Sequence, residues 1–283
     1  MTDKTRRSRA VLRRRCNSLD GKRWIQNSIS VWSDLRKTPE ELRLKHPAMF
    51  PAALVARLIE SFLPAGPHVV LDPFAGIGST LLAAFHAKKR AVGLELSPAF
   101  VATAKKRLGD RSLFDTGDPS APAPILHHAS ATDLLQHVAA DAVDLCVTSP
   151  PYWNILNQRR TADSKAVRHY GNLPHDLGTI ADYGDFLSAL TCVFADVLNV
   201  LKPGAHCCVV VMDLRKKNRF YPFHSDLAGR LEEIGFVFDD LVIWNRQAEY
   251  NNLRPLGFPS VFRINKVHEF ILVMQKPHSP GIR

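Results

Sequence analysis

The chain has 283 residues, 46% hydrophobic and 23% charged, the balance of a globular protein with room for one large α/β domain. No apolar run approaches the roughly 20 residues of a membrane span, and no apolar core follows the charged N-terminus as in a secretory signal, so a cytoplasmic protein without membrane contact is expected. The formal charge is +10, and the five cysteines (Cys16, Cys146, Cys192, Cys207, Cys208) include no CxxC pair, which argues for buried thiols rather than a disulfide framework or a metal site.

Residues 1–23 hold nine basic side chains against Asp3 and Asp20. We read 1–27 as a basic, flexible arm able to sit on phosphates, 28–277 as the domain and 278–283 as a tail. Pro51 to Phe62 reads as an amphipathic helix, with Leu54, Val55, Leu58, Ile59 and Phe62 at helical spacing. Strands and helices then alternate. Strands are predicted at Val69–Leu71, Ala91–Leu94, Ile125–Leu126, Val143–Val147, Cys207–Met212, Val237–Trp244 and Phe270–Met274. Helices are predicted at Ser79–Ala87, Pro98–Leu108 (capped by Ser97), Asp182–Leu201 and Leu227–Ile234, the third stopped by Lys202-Pro203-Gly204. This alternation predicts a mostly parallel sheet of seven strands with helices on both faces.

Asp72-Pro73-Phe74-Ala75-Gly76-Ile77-Gly78-Ser79 lies between the first strand and a helix, where a doubly wound sheet binds its ligand. Gly76 and Gly78 let the backbone approach a ligand. Glu95 ends the next strand and can accept hydrogen bonds from both hydroxyls of a ribose. The third glycine of a dinucleotide motif is missing, and Asp72 would sit badly beside a pyrophosphate. A carboxylate there suits a cation, such as the amino group of a methionine moiety.

The strand Val143–Val147 runs into Thr148-Ser149-Pro150-Pro151-Tyr152-Trp153. Two prolines remove two backbone donors, so the turn is rich in free acceptors. An exocyclic amine offers two N–H donors to such an edge, and Tyr152 offers a flat face to an extruded base.

Together these segments resemble the amino-methyltransferases that modify adenine N6 and cytosine N4 in DNA. Asp72 to Ser79 resembles their cofactor motif, Lys45 to Pro51, which includes Phe50, the accompanying cofactor segment, and Ala91 to Glu95 the ribose-binding strand. The resemblance implies a Rossmann-like S-adenosylmethionine-dependent methyltransferase fold. It implies that S-adenosyl-L-methionine is held by Asp72, Pro73, Phe74, Ala75, Gly76, Gly78, Ser79, Glu95, Leu96, Phe50 and Asp133, and leaves as S-adenosyl-L-homocysteine without a metal. A helix-capping role for Asp133 stands beside that one. Ser149, Pro150, Pro151 and Tyr152 become the catalytic motif. In this family serine at its first position accompanies cytosine more often than adenine, so N4 of cytosine in double-stranded DNA is the expected target. Adenine N6, an RNA base and a non-catalytic nucleic-acid-binding role remain as alternatives. The cofactor motif precedes the catalytic motif here, the reverse of the commonest Ser-Pro-Pro-Tyr arrangement, as in a permutation.

Segments at about 154–180 and 246–266 are expected to face DNA, with Trp153, Arg246, Arg254 and Arg263 as substrate contacts. The small size leaves a short recognition site or a homodimer as the expectation, with a cognate restriction endonuclease as a further partner.

Overall fold

The computed structural model describes residues 15–44, 49–109, 122–154, 173, 175–250, 253 and 255–279. Its centre is an eight-stranded sheet. The strands are β1 (Val31–Trp32), β2 (Val69–Asp72), β3 (Arg90–Glu95), β4 (Ile125–His128), β5 (Val143–Thr148), β6 (Leu201–Val211), β9 (Val237–Asn245) and β10 (His268–Gln275), in the spatial order β1-β9-β10-β6-β5-β2-β3-β4. All neighbours are parallel except β10, which runs antiparallel to β6 and β9. Two further strands, β7 (Leu214–Lys216) and β8 (Arg219–Tyr221), form a separate hairpin.

The expectation of seven strands is corrected to eight. The additional strand, β1, has two residues and pairs Val31 with Ile243 and Trp32 with Trp244. So short an element leaves no periodicity to read. The helix does stop just ahead of Lys202-Pro203-Gly204, at Val200, but the strand expected at Cys207–Met212 starts earlier: these residues lie in β6, which opens directly after the helix. Proline is tolerated at the beginning of a strand, and Gly204 takes φ +81° while donating to the Lys276 carbonyl at 2.9 Å.

Helices cover both faces because the strands are apolar on both sides. Leu54, Leu58, Leu81 and Ala84, from α3 (Ala52–Phe62) and α4 (Ser79–His86), share one core with Val70, Leu145 and Val210. Phe186, Leu190 and Phe194 of α7 (Tyr183–Val200) and Phe223 and Leu227 of α8 (Phe223–Glu233) share the other with Leu71, Cys146 and Val209. By length and composition α7 could pass for a membrane span, yet seven of its residues are buried in the protein.

The reading of 1–27 as an arm is revised for its described part. Asn17 and the helix that follows it dock on α3. Asn17 Nδ2 donates to the Ser61 carbonyl at 2.8 Å, and α1 (Gly21–Asn27) sends Asn27 Nδ2 to Ser61 Oγ at 3.2 Å and Arg23 to Glu60 at 2.6 Å. Asn17 and Asn27 are buried and hydrogen-bonded, a pattern that charge counting does not reveal.

The arrangement that positions the site is the reversal beside β2. The chain moves from β2 outward to β3 and β4, then crosses back to β5 on the other side of β2. Beyond the carboxyl ends of two such strands the loops diverge and leave a crevice.

Candidate active site

The crevice is a partly enclosed cleft with a cavity volume of about 100 Å³. Its floor comes from the turn between β2 and α4. Asp72 ends β2 with 1% of its surface exposed. Thr148 Oγ1 donates to its Oδ1 at 2.6 Å, Thr80 Oγ1 to its Oδ2 at 2.7 Å and the Phe74 N–H to Oδ1 at 3.1 Å. Burial pushes the carboxyl up to about 6, with these donors opposing the rise.

Glu95 ends β3 and faces the same floor. Its Oε2 accepts from the Gly76 N–H at 2.8 Å and its Oε1 from the Ser97 N–H at 2.7 Å. Burial pushes it to about 7, and Asp72 and Asp176 add to the rise. Each carboxylate oxygen has a second lone pair for a ligand. Gly76 adopts φ +53°, which turns its N–H onto Glu95. Gly93 is required by packing, because a Cβ there would lie 2.7 Å from Leu81 and 2.9 Å from Ala75.

Of the residues put forward for the cofactor, Asp72, Pro73, Phe74, Ala75, Gly76, Ser79, Glu95, Leu96 and Phe50 line the cleft. Gly78 does not: it sits at φ +81° before α4, facing Ala104 and Leu108 of α5 (Pro98–Gly109). Asp133 does not line it either. The chain leaving β4 brings Ser130 and Ala131 to the cleft. Asp133 precedes α6 (Leu134–His137), where its side chain makes no cap and accepts from Gln136 at 3.2 Å. The capping role for Asp133 is therefore replaced by a contact with Gln136.

Phe50 and Met49 are held over the cleft by Glu41 of α2 (Pro39–Arg43). Glu41 closes a capping box with Thr38 and reaches the Ala52 N–H through Oε1 at 2.8 Å. The same oxygen accepts from Arg107 of α5 at 3.2 Å, and Arg107 also reaches Ser79 Oγ at 3.1 Å. The opposite wall contains His175, Asp176 and Leu177. They fall in the 154–180 segment expected to face DNA; residues 155–172 and 174 of that segment lie outside the described residues.

The catalytic motif reaches the cleft because β5 pairs with β2, Cys146 beside Leu71. Ser149, Pro150 and Pro151 line it. Tyr152 does not, and the expectation of a free stacking face is corrected. Its ring is 7% exposed and lies edge-on to Phe223, centroids 6.5 Å apart. Its hydroxyl pairs with Ser149 Oγ at 3.1 Å and donates to Glu269 Oε2 at 3.0 Å. Burial pushes this hydroxyl well above the ordinary tyrosine range, with Glu269 adding to the rise.

Trp153 is also buried, at φ +48°, with its indole N–H on the Ile180 carbonyl at 2.9 Å and Lys216 Nζ 3.8 Å from its ring centre. It lines a second hollow with Tyr183, Lys216 and Tyr221 rather than the cleft. Arg246, expected at the base edge, is occupied by carboxylates: it pairs with Glu249 at 2.8 Å and with Glu269. Arg263 is half-buried and reaches Asn218 at 3.3 Å. Arg254 lies outside the described residues. Among the polar residues of the site that escaped the sequence reading as contributors are Thr80, Thr148 and Glu269. Only their position beside Asp72 or Tyr152 in space marks them.

The model of the DNA methylase family of N6/N4 type matches residues 2–106 and 143–280. The chain belongs to this family. Among curated relatives, the chain is 36% identical over 100 residues to the type II methyltransferase M.ScaI of Streptomyces caespitosus, covering 33% of the chain and 31% of that protein. Among solved structures, it is 27% identical to TTHA0409 of Thermus thermophilus, described as a DNA modification methylase and solved with S-adenosyl-L-methionine. That match covers 53% of the chain and 51% of TTHA0409, with a TM-score of 0.37. A SAM-dependent methyltransferase from Methanosarcina mazei matches 76% of the chain and 95% of its own length at 13% identity and a TM-score of 0.49. The chain thus spans about a third of the curated relative and about half of TTHA0409.

Proposed function

We propose that this DNA methylase transfers the methyl group of S-adenosylmethionine to the exocyclic N4 amine of cytosine in duplex DNA. The observation that carries the reading is the meeting of two motifs at one cleft: Ser149-Pro150-Pro151 forms part of the wall whose floor holds Asp72 and Glu95.

The residues present fit the cofactor. Asp72 is a buried carboxylate whose partners among the described residues are neutral donors, so the ammonium of the methionine moiety supplies the missing countercharge. Glu95 suits the ribose hydroxyls, and Phe50 and Leu96 give apolar cover for an adenine. When bound, the cofactor supplies a sulfonium methyl, the electrophile of an in-line displacement.

The chain's own part is to bind, align and exclude water. The lone pair of a cytosine amine is delocalised into the ring. Ser149 Oγ and the Pro150 carbonyl accept its N–H donors and favour the pyramidal form, and proximity supplies much of the acceleration. Tyr152 acts as a positioning residue, fixing Ser149 through its hydroxyl rather than stacking on the base.

Ser149 at the head of the motif supports cytosine over adenine. The test is incubation with duplex DNA and labelled S-adenosylmethionine, followed by mass spectrometry of the nucleosides. N4-methylcytosine is expected. N6-methyladenine would keep the mechanism and overturn the base, and unmodified DNA would overturn the reading.

A further inference from the structure

The β7–β8 hairpin carries Arg215, Lys216, Lys217 and Arg219 around its tip. Leu214 anchors it in the core, while Arg215, Lys217, Arg219 and Phe220 are exposed. Arg215 and Lys266 approach the same Phe220 ring, at 5.5 and 4.8 Å from its centre. Asp213, the carboxylate that acts on Lys266, is buried and bonded to His224 at 2.6 Å. Two cations therefore crowd one aromatic ring, and the carboxylate that acts on one of them is already engaged by His224.

The chain beyond Gly257 joins this surface. Gly257 sits at φ +80°, and the Val261 N–H closes a tight turn on its carbonyl at 2.8 Å. Any Cβ at 257 would meet the Val261 carbonyl oxygen at 2.1 Å, so the turn needs glycine. It leaves Phe262 92% exposed and Phe258 and Ile264 each 78% exposed. Arg263 beside them reaches Asn218 at the hairpin tip at 3.3 Å. The hairpin in turn contacts the catalytic turn, with Lys216 over Trp153 and bonded to Asn154 Oδ1 at 3.0 Å.

Exposed apolar side chains grouped this way mark a binding surface, and the cations around them select a polyanion. Phosphates satisfy the cations, and a base stack is the apolar surface a polyanion offers to an aromatic ring. We propose that the hairpin and the 257–266 segment form one grip on duplex DNA, with Arg215, Lys217 and Arg219 on backbone phosphates and Phe262 inserted into the stack beside the extruded base. The proposal rests on the DNA-methylating reading above.

The test compares wild type, Phe262→Ala and the triple variant Arg215→Ala/Lys217→Ala/Arg219→Ala on two DNA substrates: a fully paired duplex, and one with an abasic site opposite the target base. All the substituted side chains are exposed, so the fold is expected to hold, and circular dichroism and thermal unfolding of each variant check that it does. Phe262→Ala is expected to methylate the paired duplex about tenfold more slowly, the scale of one lost aromatic stack, and to lose clearly less on the abasic duplex, because there the base is already unpaired and the inserted ring has less to hold open. The triple variant is expected to flatten the salt dependence of binding by about 0.9 in log–log slope per lost phosphate contact. Wild-type rates for Phe262→Ala on paired DNA, or an unchanged salt slope, overturn the grip and leave the methylase reading intact. A wild-type dimer that Phe262→Ala dissociates assigns the patch to self-association and also overturns it. Wild type that modifies neither DNA overturns the function itself.

Discussion

Tyr152 donates to Glu269 at 3.0 Å across 117 residues of sequence, tying the catalytic turn to the last strand of the sheet. Glu269 also pairs with Arg246, and Arg246 with Glu249, so a buried polar chain runs from Ser149 to the edge of the 246–266 segment. Tyr152→Phe removes the hydroxyl and keeps the ring. It should cost about 1–3 kcal/mol of stability, because Glu269 loses a buried donor, and lower kcat while leaving cofactor affinity unchanged. Tyr152→Ala should cost about 3–5 kcal/mol through the cavity it opens. Urea denaturation and a kcat-against-KM comparison check both. Equal losses in kcat and cofactor affinity for the phenylalanine variant would reject a positioning role.

The two carboxyls of the cleft make a prediction for pH. Both hold protons more readily in the folded protein than in the unfolded chain, Asp72 to about 6 and Glu95 to about 7. Folding therefore takes up protons. Their contribution to stability is fully present below the ordinary carboxylate range and is lost as pH rises through about 6 and then about 7. Cofactor binding should move the opposite way, because an ammonium and two ribose hydroxyls prefer ionised acceptors. Calorimetric titration with S-adenosylmethionine should show affinity rising with pH across that window, and proton release on binding that fades above it. Affinity independent of pH would show that these carboxyls do not contact the ligand.

Thr148 tests the donor side of the same carboxyl. Its hydroxyl lies 2.6 Å from Asp72 and is fully buried. Thr148→Val keeps the shape and removes the donor, which should cost about 1–3 kcal/mol and push Asp72 further up. Cofactor affinity should then fall more at neutral pH than at alkaline pH, where Asp72 is ionised in either protein. Thr148→Ser should restore the wild-type profile. A uniform loss across pH would assign Thr148 to packing.

The sequence made the sheet and the cleft floor legible because both rest on local signals: apolar runs bounded by helices, and a glycine turn directly after a strand. The predicted strand that ends in Glu95 places this carboxyl in the cleft, and the Ser149 motif arrives through its pairing with the first strand. What stayed hidden depends on distant partners. Nothing around Tyr152 in sequence shows that Glu269 will take its hydroxyl, or that Arg246 is held by Glu249 and Glu269 instead of meeting a base. Asp133 misled for a related reason. The rule that ligands sit at strand ends holds here, but the residues nearest the end of β4, Ser130 and Ala131, fill that place. The strand β1 was too short for its pattern to register, and it exists because β9 offers an unpaired edge.

Glu41 and Arg107 give a prediction linking stability to the site. The two side chains are 3% and 4% exposed and 3.2 Å apart, joining the segment before α3 to α5. Breaking a buried pair from one side leaves a bare charge and should cost about 3–5 kcal/mol. Glu41 additionally holds the Ala52 N–H, two residues beyond Phe50. Its loss should therefore loosen the wall over the cleft as well as the fold. Glu41→Ala is expected to weaken cofactor binding together with stability. Arg107→Met should destabilise but retain more of the binding, because Glu41 still secures Ala52. The double variant should lose less stability than the two single losses combined, since neither charge is then stranded. Denaturation and cofactor titration of all three variants check this. Strictly additive losses would show that the pair is not coupled, and unchanged cofactor affinity in Glu41→Ala would separate it from the cleft.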